Sequence, residues 1–200
     1  MLFNIPNILT VSRIVAIPII IGFLYMGGEW GNWLAFTAYT YACITDFFDG
    51  YLARAWHQQS AFGRFLDPIA DKLLVAGVLL MLLGTQTITS IHVLAASIIL
   101  CREILVSGLR EFLAQAQISM PVSLLAKWKT TIQMLALGFL IVGVVGPDFG
   151  PYGPIGPVST LEIGIYGLWA AALITLITGY DYLRSGLAHI AQSDKDYSEG

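Results

Sequence analysis

Asp46-Phe47-Phe48-Asp49-Gly50-Tyr51-Leu52-Ala53-Arg54, followed after eight residues by Gly63-Arg64-Phe65-Leu66-Asp67-Pro68-Ile69-Ala70-Asp71, lies between long apolar segments. Four carboxylates in such a setting would cost on the order of 10 kcal/mol if they faced lipid, at roughly 2.5 to 3.5 kcal/mol each. They must face water, a metal or each other. At about 100° per residue, Asp46 and Asp49 lie about 60° apart around a helix and Asp67 and Asp71 about 40° apart, so each pair shares a face. Gly50 and Ala53 fall on the first of these faces and leave room for a ligand against the backbone. Arg54 adds a planar guanidinium suited to phosphate.

The rest of the chain sets the solvent of this stretch. Of its 200 residues 56% are hydrophobic and only 12% charged, and the mean hydropathy is +0.74. That excludes an ordinary soluble domain and the basic surface of a nucleic-acid-binding protein. Six apolar segments, at roughly 8–26, 33–55, 65–84, 91–113, 122–145 and 160–183, each approach the ~20 residues of a spanning helix. The expected fold is all-α: a single domain over residues 1–200, built as a polytopic bundle of six transmembrane helices with a short N-terminal interfacial segment.

Charge distribution orients the bundle. The connections at 27–32, 85–90 and 146–159 hold no Lys or Arg, whereas Arg54, Arg64, Arg110, Lys127, Lys129, Arg184 and Lys195 fall near the opposite ends. The positive-inside rule puts both termini, and the opening of the aspartate site, in the cytoplasm. Met1 to Pro6 lacks a basic region and no cleavage site ends the first apolar run, so a bacterial cytoplasmic (inner) membrane protein is expected. Asn7, Thr10 and Arg13 recur every three residues. They belong either to an interfacial anchor or to one wall of the cytoplasmic cavity. The run from Gly146 to Pro157, rich in Gly and Pro, cannot be helical and reads as an external loop, and the tail after Ser185 reads as frayed. Cys43 and Cys101 sit in apolar segments and imply no disulfide. His57, His92 and His189 have no ligand spacing and receive no role.

Carboxylates without clustered His or Cys select Mg²⁺ or Mn²⁺, and four are enough for two ions. The local sequence holds too few cations to pair them all. A second polar group lies further along: Arg102 in the middle of an apolar segment, Arg110 about 80° around the same helix, then Lys127 and Lys129. These cations suit the phosphate of a water-soluble substrate. Arg102 reads equally well as a structural ion pair, and Lys127 and Lys129 equally well as cytoplasmic anchors; for Arg110 the functional reading is preferred.

The pattern D-x2-D-G-x2-A-R-x8-G-x3-D-x3-D resembles the signature of the CDP-alcohol phosphotransferase family, with every fixed position filled. The resemblance implies that Asp46, Asp49 and Asp67 are metal ligands and that Asp71 is a shared ligand or the general base. It also implies that Gly50, Ala53, Arg54 and Gly63 accommodate the CMP moiety, and that the protein is a homodimer. The opening run Asn4–Arg13, the segment Arg102–Phe112 and the segment Lys127–Met134 resemble the branch of this family that makes phosphatidylglycerol phosphate. That likeness covers roughly residues 3–140 and implies CDP-diacylglycerol and glycerol 3-phosphate as substrates, with Arg102, Arg110, Lys127 and Lys129 on the acceptor phosphate. The same chemistry on another alcohol, inositol phosphate or serine, is the nearest alternative. An ion-coupled transporter is a remote one, because it leaves Gly50, Ala53, Arg54 and Gly63 unexplained.

Overall fold

A computed structural model of the chain describes residues 5–55, 61–115, 124–149 and 157–198. Six long helices account for nearly all of it: α1 (Ile5–Met26), α2 (Gly28–Ala55), α3 (Ala61–Gly84), α4 (His92–Gln115), α5 (Leu124–Val142) and α6 (Thr160–Ser198). At 1.5 Å per residue even α5, with 19 residues, is about 28 Å long, close to the hydrocarbon thickness of a bilayer. By length and composition four stretches can cross a membrane: Asn7–Met26, His92–Ala114, Trp128–Val145 and Thr160–Leu187. α2 and α3, of 28 and 24 residues, are long enough but carry the aspartates. The protein is an all-α polytopic membrane protein.

The helices pack as two groups of three. α1 lies against α2 and α3, α6 lies against α4 and α5, and contacts of α2 with α5 and of α3 with α4 join the groups. Ile20, Leu74, Leu79, Leu82, Ile99 and Leu137 are among the fully buried side chains of the shared core. On the outside, Val15, Leu80, Ile104, Leu135, Leu173 and Ile177 are exposed, the arrangement expected where lipid is the solvent. Lipid supplies no hydrophobic drive between helices, so close approach of backbones has to do the packing. Gly164 and Gly167 show this: a Cβ on Gly164 would lie 2.8 Å from Leu140 Cγ, and one on Gly167 would lie 2.9 Å from Ala136 Cβ.

Element boundaries differ from expectation in four places. α1 and α2 are joined by Gly27 alone, so α2 begins at Gly28 and not near residue 33. The reversal is possible because Gly27 and Gly28 both take positive φ, 64° and 70°, which costs little without a Cβ. The N-terminal run is continuous with α1, and Asn7, Thr10 and Arg13 are buried. Burial argues against the interfacial anchor, and Thr10 and Arg13 turn toward aspartates of the neighbouring helices. The Gly/Pro-rich loop starts and ends in a two-residue antiparallel ladder, β1 (Asp148–Phe149) with β2 (Val158–Ser159), in register Asp148 to Ser159; residues 150–156 lie outside the described residues. The tail expected to fray continues α6 to Ser198, since nothing after Gly186 up to that point is Gly or Pro.

Candidate active site

The site begins at the buried face of α1. Arg13 is completely buried, and its Nη1 lies 2.6 Å from Asp46 Oδ1 on α2 while also donating to Asp71 Oδ1 on α3. One guanidinium thus ties three helices at two of the four aspartates. Thr10, one turn earlier on α1, donates from Oγ1 to Asp67 Oδ1 at 2.7 Å. α3 presents Asp67 and Asp71 on one side, as the four-residue spacing requires. The Asp46 and Asp71 side chains keep 36% and 46% of their surface, so both remain open to a ligand from the side away from Arg13.

Gly63 is buried. Asp49, Gly50, Ala53 and Arg54 lie in the last turns of α2, and their side-chain surroundings are outside the described residues, as is the side chain of Lys127 on α5. His57 is outside them too. His92 accepts a hydrogen bond at Nδ1 from Trp169 Nε1, 3.0 Å away, a contact between α4 and α6 far along the chain from the aspartates.

A cavity of 520 Å³ brings the carboxylates and the cations together. Asp46 and Asp71 line it together with Arg102, Arg110 and Lys129, and so do Glu103 and Glu111. Arg110 is exposed, whereas Lys129 is buried and paired with Glu103. Arg102 donates from Nη2 to Thr178 Oγ1 at 3.1 Å, and its guanidinium carbon lies 5.8 Å from the centre of the Tyr182 ring. Both readings of Arg102 are therefore partly met: it has structural partners, yet it faces the cavity. Buried ion pairs are costly to assemble and are kept where they orient charge.

Four contributors lie outside the residues that the sequence marks as site residues. Arg13 brings the aspartates a cation that the local sequence lacks: it reaches Asp71 across 58 residues of chain. The three-residue spacing of Asn7, Thr10 and Arg13 was the available signal. Glu103 has no local pattern to mark it, since its partner Lys129 is 26 residues away. Thr178 and Tyr182 lie on α6, where no local pattern marks them.

Among the described residues no three His, Cys, Asp or Glu side chains converge as a metal-binding group; the fourth aspartate, Asp49, is not among the described side chains. The donor chemistry fits a hard divalent cation all the same: the carboxylates around Arg13 offer oxygen ligands. Two aspartates, two arginines and a lysine around one cavity suit transfer between two phosphate-bearing substrates.

That combination belongs to a known class of membrane transferases. The family model for CDP-alcohol phosphatidyltransferase matches residues 3–178, and the chain belongs to this family, which is generally dependent on a divalent metal. A protein of Rickettsia bellii is 46% identical over 185 residues, spanning 91% of this chain and 94% of its own. One of Cereibacter sphaeroides is 40% identical over 215 residues, with 94% and 97% covered. One of Shigella flexneri serotype 5b is 38% identical over 193 residues, with 95% and 98% covered. All three are named CDP-diacylglycerol–glycerol-3-phosphate 3-phosphatidyltransferase.

Proposed function

We infer that this chain is a phosphatidyltransferase that moves the phosphatidyl group of CDP-diacylglycerol to the 1-hydroxyl of sn-glycerol 3-phosphate. The products are phosphatidylglycerol phosphate and CMP, in phospholipid biosynthesis. The observation that carries the reading is the shared cavity, lined by Asp46 and Asp71 and also by Arg102, Arg110 and Lys129. A substrate with a hydroxyl and a phosphate can bridge the two.

In this reading Asp71 takes the proton from the attacking hydroxyl. The freed oxygen attacks the phosphorus that bears the diacylglycerol, the bond from that phosphorus to the CMP oxygen breaks, and CMP leaves. Arg110, Lys129, Lys127 and Arg102 hold the acceptor's phosphate, with Arg supplying paired N–H groups and Lys a point charge. Gly50, Ala53, Arg54 and Gly63 accommodate the CMP portion. Asp46, Asp49 and Asp67, with Asp71 shared, would hold Mg²⁺ or Mn²⁺, two ions in all; such ions, when bound, would neutralise charge on the transferred and leaving phosphates. Arg13 and Thr10 keep the carboxylates in place. The lipid tails enter between helices from the inner leaflet, the polar substrates enter from the cytoplasm, and the protein works as a homodimer.

The test is CMP release by purified protein in detergent with CDP-diacylglycerol. Glycerol 3-phosphate, inositol 3-phosphate, serine and no acceptor are compared, each with Mg²⁺, with Mn²⁺ and with EDTA. Release that requires both a divalent ion and glycerol 3-phosphate is expected. Metal-dependent release with inositol 3-phosphate instead would refute the acceptor, and release with serine instead would also refute the assignment of Arg102, Arg110, Lys127 and Lys129 to an acceptor phosphate.

A further inference from the structure

α6 holds Arg102 by three features within five residues. Thr178 Oγ1 accepts from Arg102 Nη2 at 3.1 Å. The same hydroxyl donates back to Ile174 O at 2.9 Å, which turns its lone pairs outward toward the arginine. At Gly179 a Cβ would lie 3.0 Å from Arg102 Cγ and 3.6 Å from Nε, so the absence of a side chain is what lets the stem pass. One turn on, Tyr182, itself buried, lies with its ring centre 5.8 Å from the guanidinium carbon, within the range of a cation over an aromatic face.

The register of α6 on α4 repeats this geometry without the charge. Gly186, seven residues after Gly179, receives Leu109, seven residues after Arg102: a Cβ there would lie 2.8 Å from Leu109 Cδ2. Ordinary packing at this interface thus needs a glycine and a leucine. At the equivalent position above it the chain spends a threonine, a glycine and a tyrosine on an arginine. That arginine has donors to spare, for its buried Nε has no hydrogen-bond partner among the described residues, and Nη1 comes no closer than 3.8 Å to Glu103 Oε1. A guanidinium fixed from behind, short of acceptors and lining the cavity that holds Asp46 and Asp71, is built for an anion.

We propose that Thr178, Gly179 and Tyr182 form a slot on α6 that aims the Arg102 guanidinium at the phosphate of the acceptor, making them positioning residues for acceptor binding. This rests on the reading of the acceptor as a phosphorylated alcohol. The last helix then has a part in substrate choice, although neither metal nor nucleotide is assigned to it.

The experiment measures KM for glycerol 3-phosphate, kcat, and the KM for CDP-diacylglycerol in full-length protein, together with thermal melting in detergent. The variants are Thr178→Val against Thr178→Ser, Tyr182→Leu against Tyr182→Phe, and Gly179→Ala. Thr178→Val and Tyr182→Leu are expected to raise the acceptor KM by about tenfold each, with kcat and the lipid-substrate KM within about threefold. Thr178→Ser and Tyr182→Phe keep the hydroxyl and the ring face and are expected to stay near wild type. Gly179→Ala, which removes no polar group, is expected to raise the acceptor KM by displacing the arginine stem. If Tyr182→Leu fails to fold, Thr178→Val and Gly179→Ala carry the test. An unchanged acceptor KM in these variants, or a parallel change in both KM values with lowered melting, would overturn the slot. Wild-type protein that turns over without any dependence on glycerol 3-phosphate would overturn the acceptor reading, and the slot with it.

Discussion

Asp71 and Arg13 are the residues at which a single atom matters most. Asp71→Asn keeps the shape and a hydrogen-bonding oxygen but cannot take a proton. Turnover is expected to fall by on the order of 10²- to 10⁴-fold while CMP binding, followed by calorimetry, is largely kept; near-normal turnover would remove Asp71 as the base. Arg13→Gln is expected to lower kcat on the order of 10²-fold, the scale of small misplacement of reacting groups, because a neutral amide cannot hold Asp46 and Asp71 together. Arg13→Lys, which restores the charge without the fork, should recover part of it. Equal rates in Arg13→Gln and wild type would show that the aspartates hold their positions alone. The aspartates were legible in the sequence because spacings of three and four residues are local helix geometry. Arg13 was not, because the α1 face that meets Asp71 is chosen by packing across 58 residues.

At the scale of the helix, α5 and α6 depend on missing side chains. Gly167→Leu would drive bulk against Ala136, whose Cβ lies 2.9 Å from where the first carbon must go. Overpacking of this kind costs about 1–3 kcal/mol, and the variant is expected to melt at lower temperature in detergent. Since α5 also carries Lys129, spreading the pair should weaken acceptor binding as well. Wild-type melting would mean that α6 can slide without cost. Helix existence was readable from hydropathy at all six positions, because spans of ~20 apolar residues are hard to mistake. Helix ends were less so. The single-residue turn at Gly27 and the continuation of α6 to Ser198 depend on positive φ and on uninterrupted backbone, and hydropathy reports neither.

The whole molecule brings Asp46, Asp71, Arg102, Arg110 and Lys129 around one cavity within two joined groups of helices. A cytoplasmic placement of both termini, which we propose, predicts that Ser198→Cys in a Cys43→Ala, Cys101→Ala background reacts with an impermeant maleimide in inverted membrane vesicles and not in intact cells. The opposite pattern would reverse the topology and put the polar substrates on the wrong side. The cavity itself could not be read from hydropathy. Asp46 and Lys129 line one space only because α2 packs on α5 and α3 on α4.

By itself the amino-acid order determined the solvent, the number of helices, the aspartate pattern and the oxygen chemistry of its donors. Each of these follows from composition or from the 3.6-residue period, which act over one or two turns. Tertiary structure alone decided that Arg13 and Thr10 back the aspartates, that Glu103 holds Lys129, and that α6 grips Arg102. Those contacts join helices far apart in the chain. Which faces meet is settled by small residues and buried charges interlocking across the bundle, a property of the packed whole that no short window contains.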